Sequence, residues 1–221
     1  VSGVPLAGLT RRKGKPGAGW AHLAYSRDGY LLAATAYDGF TAVWDARTGR
    51  LVHALPAPGE RGRSVVFSDD GRFLAVGFFG GKATVWETTS GREMATMGAV
   101  QSDIGCCRIA FGLAGSRLAT GTVELWKPAT GQPAAPLVGE GHVTSLAPSP
   151  DGRLFASTTM SGAASVWDAA TGARVCNLTA HHEASRVVGF SPDGTTVATG
   201  GFDMVVRLSE ARTGKLIHTL R

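Results

Sequence analysis

Several short stretches of this sequence carry residue types that do chemistry. His181, His182 and Glu183 stand consecutively, a set able to ligate a metal or supply a general base. The run from Gly77 to Lys82, GFFGGK, has the glycines and lysine of a loop that cradles phosphate, and Cys106-Cys107 offers two thiols. Spacing argues against all three. The glycines of a phosphate loop are spaced differently, and Ala83 stands where that loop requires a hydroxyl. A nucleophilic thiol needs an orienting base, and no histidine stands beside the cysteines. A connecting loop with one structural histidine accounts for the His-His-Glu run. Catalysis is therefore not expected, and no cofactor or metal is implied.

A different set is basic. Arg63, Arg108 and Arg186 each precede an aromatic residue (Phe67, Phe111 and Phe190) by three or four positions. Gathered in one place and joined by Arg61, they would make a positive site for an acidic partner. Paired with acids on their own segments, they would be structural. The elements that carry them decide between the two.

Those elements repeat. Five segments align, beginning at Leu23, Val65, Ile109, Leu146 and Val188, and their late glycines Gly49, Gly91, Gly131, Gly172 and Gly214 are 42, 40, 41 and 42 residues apart. Within each unit, short apolar stretches of strand length alternate with Asp-Gly, Gly-rich and Thr-Gly or Ser-Gly turn signals. No window sustains helical spacing. Four strands per unit, a to d, are expected at about residues 20–26, 30–36, 40–45 and 50–55 in the first repeat. A four-stranded meander cannot cover its own faces, so the units must pack face to face around an axis as a β-propeller, with strand a innermost. Proline supports the assignment: none of the ten falls within b or c, where a ladder donor is required. His53, Ala95, Cys176 and His218 form one column of strand d, too widely spread around a ring to make a metal or nucleophile site.

These residues resemble WD repeats: FSPDG at 190–194, SPDG at 149–152, and VWD at 43–45 and 166–168, each VWD followed by Thr-Gly. Quinoprotein-type propellers carry a turn like DARTG at 45–49, but the Asp-Gly turn after an aromatic favours the WD family. The resemblance implies a hydrogen-bonded set of His before strand a, Ser or Thr on b, Asp in the b–c turn and Trp on c. The fifth repeat matches with His181, Thr199 and Asp203 but has Ser209 in place of Trp. The first keeps Asp38 and Trp44, with Pro16 and Ala34 at the other two positions; Trp86, Trp126 and Trp167 stand in incomplete sets, and the Gly141-His142 pair lies three residues too near its turn. With no complete set, stability is expected to rest on apolar packing between blades.

The domain reading is a leader, 1–19, containing the remnant d strand VPLAGLT at 4–10, followed by repeats at about 20–58, 59–98, 99–138, 139–180 and 181–221. The family's usual seven blades, and Val rather than Met at position 1, suggest part of a larger propeller. Its missing blades would come from the same chain or from another.

Composition bounds the rest. The chain has 221 residues, 43% hydrophobic content and no apolar run of membrane-spanning length, and its three cysteines fit a reducing, cytoplasmic setting. The net charge of +5 is concentrated in the leader: without Arg11, Arg12, Lys13 and Lys15, 18 basic residues face 17 acidic ones. A nearly neutral body does not require nucleic acid as partner, although a basic arm could supply a salt-sensitive contact. The expected function is a non-catalytic scaffold for protein–protein interaction, the interaction or sensor region of a larger signalling or regulatory protein. Regions attached to bacterial kinases and NTPases are the analogy. The alternative is a propeller enzyme, or a small-molecule-binding propeller, with its site at the channel mouth. The third repeat has four residues fewer in its b–c hairpin than the second, and removing two from each arm would preserve the inward and outward alternation of both strands. A notch beside Arg108 is the functional expectation, and neutral drift the rival.

Overall fold

The computed structural model describes residues 19–56, 60–98, 108–120, 124–136 and 142–221. These form five four-stranded antiparallel sheets, each a simple meander in the order a-b-c-d. Blade 1 comprises β1 (Trp20–Tyr25), β2 (Leu31–Ala36), β3 (Thr41–Asp45) and β4 (Leu51–Leu55), and blade 2 comprises β5 (Gly62–Phe67), β6 (Phe73–Phe78), β7 (Ala83–Glu87) and β8 (Glu93–Met97). Blade 3 has β9 (Ile109–Gly112), β10 (Arg117–Thr120), β11 (Glu124–Lys127) and β12 (Gln132–Pro136). Blade 4 has β13 (Val143–Pro148), β14 (Leu154–Thr159), β15 (Ala164–Asp168) and β16 (Arg174–Asn177). Blade 5 has β17 (Ser185–Phe190), β18 (Thr196–Gly201), β19 (Val206–Glu210) and β20 (Leu216–Leu220). Among the described residues the only helical element is a single 3-10 turn, Leu113–Gly115. Residues 1–18 of the leader, with Pro16 and the stretch 4–10, lie outside the described residues, as do Cys106, Cys107 and Gly141.

The turn signals work through side-chain hydrogen bonds. In the a–b turns of blades 1, 2, 4 and 5, a serine hydroxyl (Ser26, Ser68, Ser149, Ser191) donates to the aspartate two residues on, at 2.5–2.6 Å. The same serine oxygen accepts the backbone N–H that opens strand b, at 2.9–3.0 Å. The glycine after each aspartate, such as Gly194 at φ 72°, takes a left-handed conformation open to a residue without Cβ. Blade 3 lacks both Ser and Asp here. Its 3-10 turn occupies the same connection and forces Leu113 to φ 49°. The c–d turns are closed similarly, with the Thr48 and Thr171 hydroxyls donating to Asp45 and Asp168 at 2.8 Å. Prolines fall on edges: Pro133 and Pro136 are in strand d of blade 3, and Pro148 ends strand a of blade 4.

The blades stack in chain order, strand a against strand a: β1 on β5, β5 on β9, β9 on β13 and β13 on β17. Each interface joins unlike faces. Blade 1 presents Ala33 and Val43 to Leu74, Val76 and Trp86 of blade 2, and blade 2 presents Ala75 and Val85 to Phe111 and Leu118 of blade 3. Ala119 and Leu125 of blade 3 then meet Phe155 and Trp167, and Ala156 and Val166 of blade 4 meet Val188 and Val197. The face toward the next blade is thus lined at its centre by alanine, the face toward the previous blade by bulky side chains. Burying one such Val, Leu or Phe contributes about 1.5–3 kcal/mol. At the first junction the packing also needs a missing side chain: a Cβ on Gly62 would clash with Thr35 Oγ1 and come within 2.7 Å of the Ala36 carbonyl oxygen.

Candidate functional site

The b–c hairpins and the starts of strands a share one rim. The first residue of each described b–c turn donates its backbone N–H to the segment before strand a of its own blade: Tyr37 to Gly19, Phe79 to Arg61, Met160 to His142 and Phe202 to Ala184, at 2.7–3.0 Å. All four side chains are large, apolar and exposed. Sequence reasoning missed them, although their recurrence at one position of the period was a readable signal.

The three arginines lie at this rim in two registers. Arg63 and Arg186 are the extra residues of a bulge, between Gly62 and Ser64 and between Ser185 and Val187. Arg108 immediately precedes Ile109, which pairs with Thr120, and so stands one ladder position further along. All three are exposed. Arg186 forms no ion pair among the described residues; its guanidinium sits 4.8 Å over the Phe202 ring, and Nη1 is 3.8 Å from Met160 Sδ. Burial first, and then the Arg108 charge, hold the pKa of the His22 imidazole on β1 below its ordinary value.

Among the described residues, blade 5 contains the set in which His, Thr and Asp assemble. His181 has a fully buried side chain (0% exposed). Its Nε2 lies 2.9 Å from Thr199 Oγ1 and its Nδ1 2.8 Å from Asp203 Oδ1. Arg207, unanticipated from sequence, pairs with Thr199 across the ladder. It donates from Nη1 to Asp203 Oδ2 at 2.8 Å, and the same nitrogen lies 2.6 Å from His181 Nδ1. Nδ1 cannot both donate to the carboxylate and accept from Arg207. The charge-assisted bond to Asp203 takes precedence, which leaves Nε2 to accept from Thr199. Burial alone would raise the Asp203 carboxyl, but the His181 and Arg207 donors outweigh it and hold the group well below the usual carboxylate range.

His, Thr and Asp joined in this way before and along a blade are the arrangement the sequence resemblance implies. Comparison with protein families agrees: the model WD40, described as WD domain, G-beta repeat, matches residues 135–168 and 172–208. Over those two stretches the chain matches WD repeats. Eukaryotic translation initiation factor 3 subunit I of Pyricularia oryzae is 33% identical over 87 residues, 38% of this chain and 26% of that protein. The same subunit of Phaeosphaeria nodorum is 44% identical over 52 residues, 24% of this chain and 16% of that protein. Apoptotic protease-activating factor 1 of Rattus norvegicus is 31% identical over 99 residues, 44% of this chain and 8% of that protein. The matched segments span about a quarter or less of these relatives. WD repeats imply a scaffold for protein–protein interaction.

In the other blades, the position of Thr199 decides what the tryptophan can do. Trp167 Nε1 donates to Ser157 Oγ at 2.8 Å and Trp126 Nε1 to Thr120 Oγ1 at 3.3 Å. Blade 2 has Val76 there, and the buried Trp86 Nε1 has no acceptor among the described residues. Trp44, opposite the same gap at Ala34, is buried edge-on against Trp20 at 5.3 Å. Ser209, where Trp was expected, is buried.

Elsewhere the chemistry is structural. A cavity between blades 4 and 5 is lined by Asp151, Asp193, Glu210 and Arg212 among others. Its acids are already engaged: Asp151 and Asp193 hold their a–b turns, and Glu210 accepts from Thr213. Among the described residues no group of three or more His, Cys, Asp or Glu could hold a metal, and no helix is long and apolar enough to cross a membrane. His53 Nε2 bonds the Thr88 carbonyl of the next blade, and Cys176, its thiol pKa raised by burial, approaches the Ala211 carbonyl.

Proposed function

We propose that this chain is a non-catalytic interaction platform that captures an extended, acidic segment of another protein at the rim formed by the b–c turns. The observation that carries this reading is the placement of Arg186 over Phe202 and beside Met160, an exposed cation on an apolar base with no carboxylate partner among the described residues. Aromatic and Arg side chains dominate binding energy at protein interfaces, and the exposed Tyr37 and Phe79 continue the same rim. Arg63 and Arg108 extend the positive charge along it. The near-neutral body supports a protein partner over nucleic acid, whose phosphates need a broad basic face. Membership in a larger signalling or regulatory protein is part of the proposal, with the bacterial kinases and NTPases as analogy.

Arrays of immobilised acidic, neutral and basic peptides test it. Acidic peptides carrying an apolar residue should be retained by the wild-type chain, and Arg186→Ala and Phe202→Ala should each weaken retention several-fold without changing the melting temperature. Retention indifferent to peptide charge and to both substitutions refutes the reading.

A further inference from the structure

The rim carries one constellation twice. In blade 5 the extra residue of the strand a bulge is Arg186, flanked by Met160 from the b–c turn of blade 4 and Phe202 from its own. In blade 2 the extra residue of the same bulge is Arg63, and Tyr37 of blade 1 and Phe79 of blade 2 hold the turn positions of Met160 and Phe202. All six residues are exposed. Tyr37, Phe79 and Met160 remain so, at 49%, 41% and 37%, with the next blade packed beside each of theirs. The bulge does not itself require arginine. It holds Ala21 in blade 1, and in blade 4 the buried Thr144, whose hydroxyl donates to the Ser185 carbonyl oxygen.

We infer, resting on the capture of an acidic segment proposed above, that the rim is bivalent. One segment of the partner carries two acidic–apolar pairs, the first seated at Arg63 with Tyr37 and Phe79, the second at Arg186 with Met160 and Phe202. Two features favour one segment over two separate ones. Arg108 of blade 3 is exposed on the way between them, so the positive charge continues along the path. The b–c ladder of blade 3 stops, among the described residues, at Thr120 and Glu124, one pair short of the Gly77–Ala83 pair that ends it in blade 2, which lowers the rim where the segment crosses. The acids that follow Tyr37 and Phe202 are engaged in their own turns, Asp38 accepting the Phe40 N–H and Asp203 the Val205 N–H. Packed sheets lie about 10 Å apart, so three steps from blade 2 to blade 5 make a path of about 30 Å, the reach of about nine extended residues. Seating the first pair makes the second event intramolecular, at an effective concentration of about millimolar.

Titration calorimetry of the 221-residue chain with synthetic peptides in solution tests the inference. The peptides carry one Leu-Glu pair, or two joined by a Gly-Ser linker of about thirty residues, whose mean span matches the path, or of about three, which cannot bridge it. The long-linker peptide should bind one per chain and more than about tenfold tighter than the single pair, and the short-linker peptide should gain little. Arg63→Ala and Arg186→Ala should each abolish that gain while the single pair still binds at the remaining site. Phe79→Ala is the second blade 2 variant should Arg63→Ala melt early. A long-linker peptide no tighter than the single pair overturns the bivalent rim and leaves the capture of single acidic segments standing. A gain that survives either arginine substitution, or that the short linker shares, overturns it as well. If no peptide binds at all, the capture reading and the bivalent rim fall together.

Discussion

Blade 2 allows a prediction in which a single atom's hydrogen bond is the variable. Val76 and Trp86 are buried, and Trp86 Nε1 has no acceptor among the described residues. Leaving a buried donor unmade costs about 1–3 kcal/mol. Val76→Thr keeps the volume and places a hydroxyl where Thr120 and Ser157 hold theirs, facing the indole N–H. Exchanging a buried methyl for a hydroxyl costs about 1–3 kcal/mol if the hydroxyl is unbonded and much less if it accepts from Trp86. The expected net effect is a stabilisation of about 1 kcal/mol, a rise of roughly 2–4 °C in melting temperature for a chain of this size. The mirror experiment, Ser157→Ala, breaks the 2.8 Å bond from Trp167 and should cost about 1–3 kcal/mol. Calorimetry with urea titration reads both, and an unchanged denaturant slope confirms that the native state is what altered. A Val76→Thr chain less stable than wild type by about 1 kcal/mol, or a neutral Ser157→Ala, would refute the reasoning.

Three further outcomes are expected. The folded Asp203 carboxyl titrates below the ordinary value of about 4, so its stabilising contribution is complete above that value and disappears as pH falls through the depressed range. Asp203→Asn should lower stability at neutral pH and flatten the acid limb of a stability–pH curve below about pH 4; an unchanged limb contradicts the assignment. Gly62→Ala should destabilise by about 1–3 kcal/mol through the clash with Thr35 and the Ala36 carbonyl, whereas Gly189→Ala, with nothing within 4 Å of its new Cβ, should be neutral or mildly stabilising in a denaturant melt. Inserting Ser-Tyr-Asp-Gly after Gly121 lengthens the third b–c hairpin by an even number of residues, so the blade should fold with its faces preserved. If the short hairpin is a notch for the captured segment, the insertion and Arg108→Ala both lose peptide retention; full retention by the insertion variant marks the gap as architectural tolerance.

The ladder registers show why the third repeat could lose four residues. Leu118 pairs with Trp126 as Leu74 pairs with Trp86 and Phe155 with Trp167, so both shortened arms keep their faces. The turn itself, 121–123, lies outside the described residues.

Period and turn chemistry alone determined the all-β class, four strands per unit and their boundaries to within a residue or so in the first blade; the joining of His181, Thr199 and Asp203 was implied by the resemblance to WD repeats. These were legible because a Ser-x-Asp-Gly turn or an alternating strand is set by atoms a few residues apart. The tertiary structure decided what depends on distant neighbours. That Arg186 lies on Phe202 and Met160, that Arg207 joins the buried set, and that Trp86 lacks, among the described residues, the acceptor Trp167 enjoys are facts about which side chains meet across a ladder or a turn. Leu178 and Leu220 occupy the same place in the repeat, and no local rule distinguishes them. One is buried and the other exposed because burial belongs to the neighbouring blade and not to the residue.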